Sequence, residues 1–188
     1  MARYTDCVPV LYAAGLRDMA DWAEEARPLR MGGRGRTCRD IWDAAPRGDW
    51  LLEYAQVAGV PSPALVRAAA ACVRPALRFV REGEDRPRLA VEAAEAWADE
   101  PTERNRRRAA RAARTAWEVT EWAAWAAGGL AADGLAVEWA AGTRMSGAAW
   151  YAARAHLNAE GPESESAAHA ACAEEVRRLV PFLDLAGP

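Results

Sequence analysis

Thr102-Glu103-Arg104-Asn105-Arg106-Arg107-Arg108-Ala109-Ala110-Arg111-Ala112-Ala113-Arg114-Thr115-Ala116-Trp117-Glu118-Val119-Thr120-Glu121-Trp122-Ala123-Ala124-Trp125-Ala126-Ala127 is the stretch on which the fold turns. Thr102 offers a side-chain oxygen at a helix start, and Glu103 puts negative charge at the positive end of the helix dipole. Gly128 and Gly129 mark the other end. The spacing therefore predicts one long helix, with Arg104, Arg107, Arg108, Arg111 and Arg114 along its first half and Trp117, Glu121 and Trp125 sharing a face of its second half.

The same logic extends in both directions. Towards the N-terminus, Asp85 and Pro87 open a helix with the apolar stripe Leu89, Ala93, Ala96 and Trp97, which Pro101 closes. Ser62 and Pro63 start another, through Leu65, Ala69, Cys72, Val73, Leu77 and Val80, with a kink predicted at Pro75. Asp49 caps a short helix to Val57, and Thr37 with Asp40 opens one that stops near Pro46. The segment from about Asp6 to Ala26 is expected to be mainly helical, ending at Pro28 and the Gly32-Gly33-Arg34-Gly35 run. Towards the C-terminus, helices are expected near Leu135 to Ala141, Met145 to Asn158 and Ser166 to Leu183, with a loop at Gly161-Pro162-Glu163-Ser164. No strand pattern interrupts them. The fold class read from this is all-α, a compact Ala/Trp-rich bundle of about six to eight helices. Residues 1–188 form one domain, with 1–36 a candidate N-terminal appendage on a glycine-rich loop.

Composition agrees with a bundle. Hydrophobic residues make up 52% of the 188-residue chain, but many are alanine, which removes little apolar area from water. The nine tryptophans are therefore expected to supply much of the burial between closely approaching helices. Every fixed basic side chain is arginine, and the net charge of -3 gives no global attraction to nucleic acid or to an anionic membrane. Acidic residues interrupt the Ala/Trp-rich stretch from Ala116 to Trp139, so no membrane span is predicted. Cys7, Cys38, Cys72 and Cys172 have no metal-knuckle spacing and suggest reduced thiols in a cytoplasmic protein.

Catalytic patterns are missing from the sequence. There is no Gly-x-Ser-x-Gly elbow, and the glycines at 32, 33 and 35 follow no strand and are joined by no lysine. His169 and Cys172 stand three residues apart with Glu165 one turn earlier, a partial metal face that ordinary helix packing explains as well. The reading is accordingly a non-enzymatic chain with no cofactor and no metal.

Two further stretches carry a resemblance. They are Ile41-Trp42-Asp43-Ala44-Ala45-Pro46-Arg47-Gly48-Asp49-Trp50-Leu51-Leu52, and Glu84-Asp85-Arg86-Pro87-Arg88 continuing through Ala93-Ala94-Glu95-Ala96-Trp97, followed by the alanine-rich tail. Over about residues 40–180 this resembles the bacterial immunity-protein-like family of polymorphic toxin systems. The resemblance implies a helical protein that binds and neutralises a cognate bacterial toxin. The motif residues Asp49, Trp50, Asp85, Arg86, Arg88 and Trp97 also have structural readings, as caps, ion pairs and core. The partner-binding set is read as Trp117, Glu121, Trp125, Arg104, Arg107 and Arg111. Nucleic-acid binding through Arg104 to Arg114 is the alternative, disfavoured because the chain has no overall basic charge and because Glu92, Glu95, Asp99 and Glu100 are placed to neutralise that stripe. A small-molecule pocket lined by Trp117, Trp125, Trp139 or Trp150 is a third.

Overall fold

The computed structural model describes residues 6–26, 36–118 and 146–185. Among them the chain is all-α with no strand, as the sequence predicts. The helices are α1 Val8–Ala13, α2 Arg17–Glu25, α3 Cys38–Ala44, α4 Gly48–Val57, α5 Ser62–Val73, α6 Arg86–Asp99, α7 Glu103–Trp117, α8 Ser146–Glu160 and α9 Pro162–Leu179, with a 3₁₀ segment Arg74–Phe79 after α5. The helix expected near Leu135 to Ala141 lies outside the described residues.

Several boundaries depart from the sequence reading, each for a local reason. The segment from Asp6 to Ala26 is two helices, because Gly15 takes φ +80° and turns the chain between them. Pro75 does more than kink its helix: α5 ends at Val73 and the chain tightens into the 3₁₀ segment. Ser62 is the first helical residue rather than the cap, and Pro61 precedes it. The loop expected at 161–164 is already helix, since Gly161 at φ +98° makes the reversal and Pro162 begins α9.

Two predicted caps form and, besides Ser62, two do not. Thr37 and Asp40 make a reciprocal capping box, and the Thr37 bonds hold the Asp40 carboxyl below its ordinary range. Thr102 accepts from the Asn105 amide at 3.3 Å. Asp85 occupies the cap position of α6 without capping it, because its carboxylate is taken by Arg88 at 3.0 and 3.2 Å. Asp49 is likewise not a cap; Arg47 holds that position and Asp49 lies in the first turn of α4. Thr102→Ala is thus expected to cost about 1 kcal/mol, and Asp85→Ala less than about 1 kcal/mol, an ordering that parallel denaturant titrations would reverse if Asp85 were the true cap.

The core is built mostly from alanine and mid-sized aliphatics. α9 packs against α8, α4 and α5, while α6 joins α5 to α7. Ala68, Ala69, Ala148, Ala149 and Ala153 are fully buried, and the largest fully buried side chains include Tyr54, Leu11, Met19, Ile41, Leu51 and Leu52. Five of the nine tryptophans have described side chains, and these differ in burial. Trp42 and Trp97 are buried, Trp22 and Trp50 are half-buried, and Trp150 is exposed. Closely packed alanine helices leave few gaps wide enough for an indole, so the rings gather where helices end. Trp42, Tyr54 and Phe182 form one such cluster, with ring centroids 5.3 to 6.1 Å apart. The Tyr54 hydroxyl donates to the Leu183 carbonyl at 3.0 Å, and burial pushes it up to about 12. Arg177 reaches back from α9 to donate to the Trp42 and Ala45 carbonyls at the end of α3.

Residues 6–26 contribute Cys7, Leu11, Leu16, Met19, Ala20 and Ala23 to the same hydrophobic cluster as the later helices. Trp22 stands 5.8 Å from Trp50, and the Cys7 amide donates to the Arg36 carbonyl. Cys7 and Cys38 are disulfide-bonded, which corrects the expectation of four reduced thiols. The two cysteines stand 31 residues apart, and nothing in that spacing announces that α1 and α3 begin side by side. No helix among the described residues is long and apolar enough to cross a membrane.

Candidate functional site

The arginine stripe is displayed by the way α7 packs. Ala109, Ala113 and Ala116 are buried, and among the described helices α7 rests on α6. Positions 104, 107, 108, 111 and 114 fall on the opposite side and are all exposed. The neutralisation expected from α6 does not occur. Glu92 pairs with Arg88 at 2.7 Å, Glu95 with Arg74, and Asp99 with Arg67 at 3.1 Å. The α6 carboxylates are therefore drawn to their own helix and to the α5 side, away from α7. Within the stripe only Arg107 is paired among the described residues, with Glu103 at 2.7 Å. Glu103 also accepts from Arg106, and these two guanidinium groups pull its carboxyl down to about 2. Arg104, Arg108, Arg111 and Arg114 make no ion pair among the described residues. The Trp117 side chain, Glu121, Trp125 and Trp139 lie outside them.

The second cluster surrounds the Arg47-Gly48-Asp49-Trp50 segment. Asp49 is buried, 5% exposed, and both of its oxygens accept from Arg47, at 3.1 and 2.5 Å. The Arg47 guanidinium also covers the Trp50 ring at 4.7 Å. His169 of α9 comes within 3.5 Å of Asp49. Burial lowers the His169 imidazole below its ordinary value despite the nearby carboxylate, so it is neutral at pH 7; its Nδ1 has no hydrogen-bond partner among the described residues. A cleft of about 270 Å³ opens here, with Asp18, Asp49, Trp50 and Trp150 on its walls. The sequence reading placed Asp49 and Trp50 in a structural motif but gave no sign that His169, 120 positions later, shares it. The Asp49 and His169 positions meet because α4 and α9 pack together.

The other motif residues are tied into the helices they start. Arg86 pairs with Glu84 and with Glu118, and Arg88 bridges Asp85 and Glu92. Trp97 is core. His169, Cys172 and Glu165 do not converge as ligands, and no group of three or more His, Cys, Asp or Glu side chains is arranged to hold a metal among the described residues.

His156 makes an edge contact with Phe79 at 4.8 Å and is likewise lowered, chiefly by burial and then by Arg78. Folded-state values below the ordinary one mean that the unfolded chain takes up protons first. Stability should be full above the unfolded histidine value of about 6.5 and fall as pH drops through it. Melting temperature is expected to decline from about pH 7.5 to about pH 5.5, less steeply in His169→Gln. An unchanged slope in that variant would remove His169 from the account.

No family model, curated protein or solved structure matches the chain.

Proposed function

We propose that this chain is a non-enzymatic protein-interaction module, an immunity protein of the type its motifs resemble, that docks an acidic surface of a cognate bacterial toxin on the arginine face of α7. The observation that carries the reading is that face: five exposed arginines on one side of a helix, only Arg107 of them ion-paired among the described residues, with Glu92, Glu95 and Asp99 of α6 engaged elsewhere. From position 104 to 114 an α-helix rises about 15 Å, a span suited to a protein patch. Guanidinium forks pair two-pronged with carboxylates and are less tightly hydrated than ammonium groups, which favours them at interfaces. Phosphates would satisfy the same forks, but the net charge of -3 opposes long-range attraction to a polyanion.

The test begins with co-purification from the native host and mass spectrometry, followed by calorimetry on the purified partner. Arg104→Glu with Arg111→Glu is expected to weaken binding at least about tenfold while leaving the melting temperature nearly unchanged, since exposed charges contribute little to stability. Unchanged affinity would remove α7 from the interface. Tight binding of duplex or single-stranded probes at low salt, falling steeply as salt rises, would replace the protein partner with nucleic acid.

A further inference from the structure

All four cysteines of the chain stand in two close pairs. Cys7 and Cys38 are bonded, while Cys72 of α5 and Cys172 of α9 are free thiols facing one another across the helix crossing. Each donates towards the other's backbone carbonyl, Cys72 Sγ at 3.8 Å and Cys172 Sγ at 3.9 Å. The neighbouring Cys172 thiol, together with burial, pushes the Cys72 thiol up. Gly48 lies directly against the Cys172 backbone, so α4 holds that side of the pair in place. Both cysteines also line one small cavity of about 80 Å³, together with His156 and Glu175. A space of that size admits a few water-sized groups and excludes a peptide thiol or a bulky disulfide.

We propose that Cys72 and Cys172 are an oxidisable dithiol, a modification site that admits a water-sized peroxide through this cavity and closes into a second disulfide between α5 and α9. The Cys172 sulfur, as thiolate, attacks a peroxide oxygen; the O–O bond breaks, and the departing hydroxide leaves as water with the thiol's proton. The sulfenic acid so formed is attacked by the second sulfur, the S–O bond breaks, the S–S bond forms, and the oxygen leaves as a second water. Two thiols lose two electrons, and one peroxide is reduced to two waters. The resulting link would close a stretch 100 residues long.

The folded protein is treated with hydrogen peroxide, denatured without reductant, alkylated, and mapped by proteolysis and mass spectrometry. The expected result is a peptide pair joined through Cys72 and Cys172, alkylatable thiols falling from two per chain to none, and a higher melting temperature that returns to its starting value with reductant. Cys72→Ser should give no joined pair and, with dimedone added together with the denaturant, carry a trapped sulfenic acid at Cys172. Two sulfurs that remain alkylatable, or that each proceed to sulfinic acid without joining, would overturn the proposal. So would a link from Cys172 to Cys7 or Cys38 in the variant.

Discussion

Gly48→Ala is expected to destabilise the protein by about 3 kcal/mol, lowering the melting temperature by about 6 to 12 °C. A methyl group at position 48 would meet the Cys172 carbonyl carbon at 2.7 Å and the Ala173 amide nitrogen at 2.9 Å, besides Cys172 Cβ. Two of those obstacles are backbone, so no side-chain rotation makes room. α4 would have to withdraw from α9, and α9 is the helix that α8, α4 and α5 all pack against. The same displacement would disturb the Arg47–Asp49 pair, whose carboxylate is 7% exposed and would be left in the interior without its partner. Thermal and denaturant unfolding of Gly48→Ala measure the effect. Because alanine is the better helix former in general, a variant as stable as the wild type would show that the two helices separate without cost.

Removing the Cys7–Cys38 bridge is the second large effect. The bond closes a stretch 31 residues long, and on the chain-entropy view releasing it costs about 3 to 4 kcal/mol. Cys7→Ser with Cys38→Ser should therefore unfold at a distinctly lower denaturant concentration, as should the wild type in strong reductant. The loss should be felt first at α1 and α2, which hold to the later helices through Leu11, Met19 and the Trp22–Trp50 contact. Hydrogen exchange ought to rise across residues 8–25 before it rises in α5 or α9. Equal protection of α1 and α2 in the double variant would show that apolar packing alone fixes this segment.

Much of the helical framework was legible because its signals are local. Thr37 with Asp40, Thr102, the prolines at 61, 63, 87 and 101, and the alanine-rich intervals each act within a turn or two of chain. The turn at Gly15 was not legible, since a lone glycine in a helical pattern reads equally as a tolerated residue. Nor were the roles of Asp49 and Asp85. Both have the residue type of a cap, but Arg47 and Arg88 compete for their carboxylates, and a charge-assisted bond to a guanidinium outweighs a neutral amide.

The arginine stripe shows where local reading ends. Sequence order places Arg104, Arg107, Arg108, Arg111 and Arg114 on one face, because helical periodicity alone does so. Whether acidic neighbours neutralise that face depends on where Glu92, Glu95 and Asp99 find their partners. Arg67 and Arg74 lie on the α5 side and reach them only once α5 packs on α6.

What the amino-acid sequence determined by itself is the all-α class, most helix spans, two of the caps and the basic face of α7. Each depends on residues within one helix, where 3.6-residue geometry fixes the neighbours in advance. Tertiary structure alone decided the Cys7–Cys38 bridge, the meeting of Asp49 with His169, the contact of Gly48 with the Cys172 backbone and the Cys72–Cys172 pair. Those contacts join residues 31 to about 120 positions apart. No spacing rule reaches that far, because the crossing of two helices is set by the whole arrangement of small and large side chains buried between them.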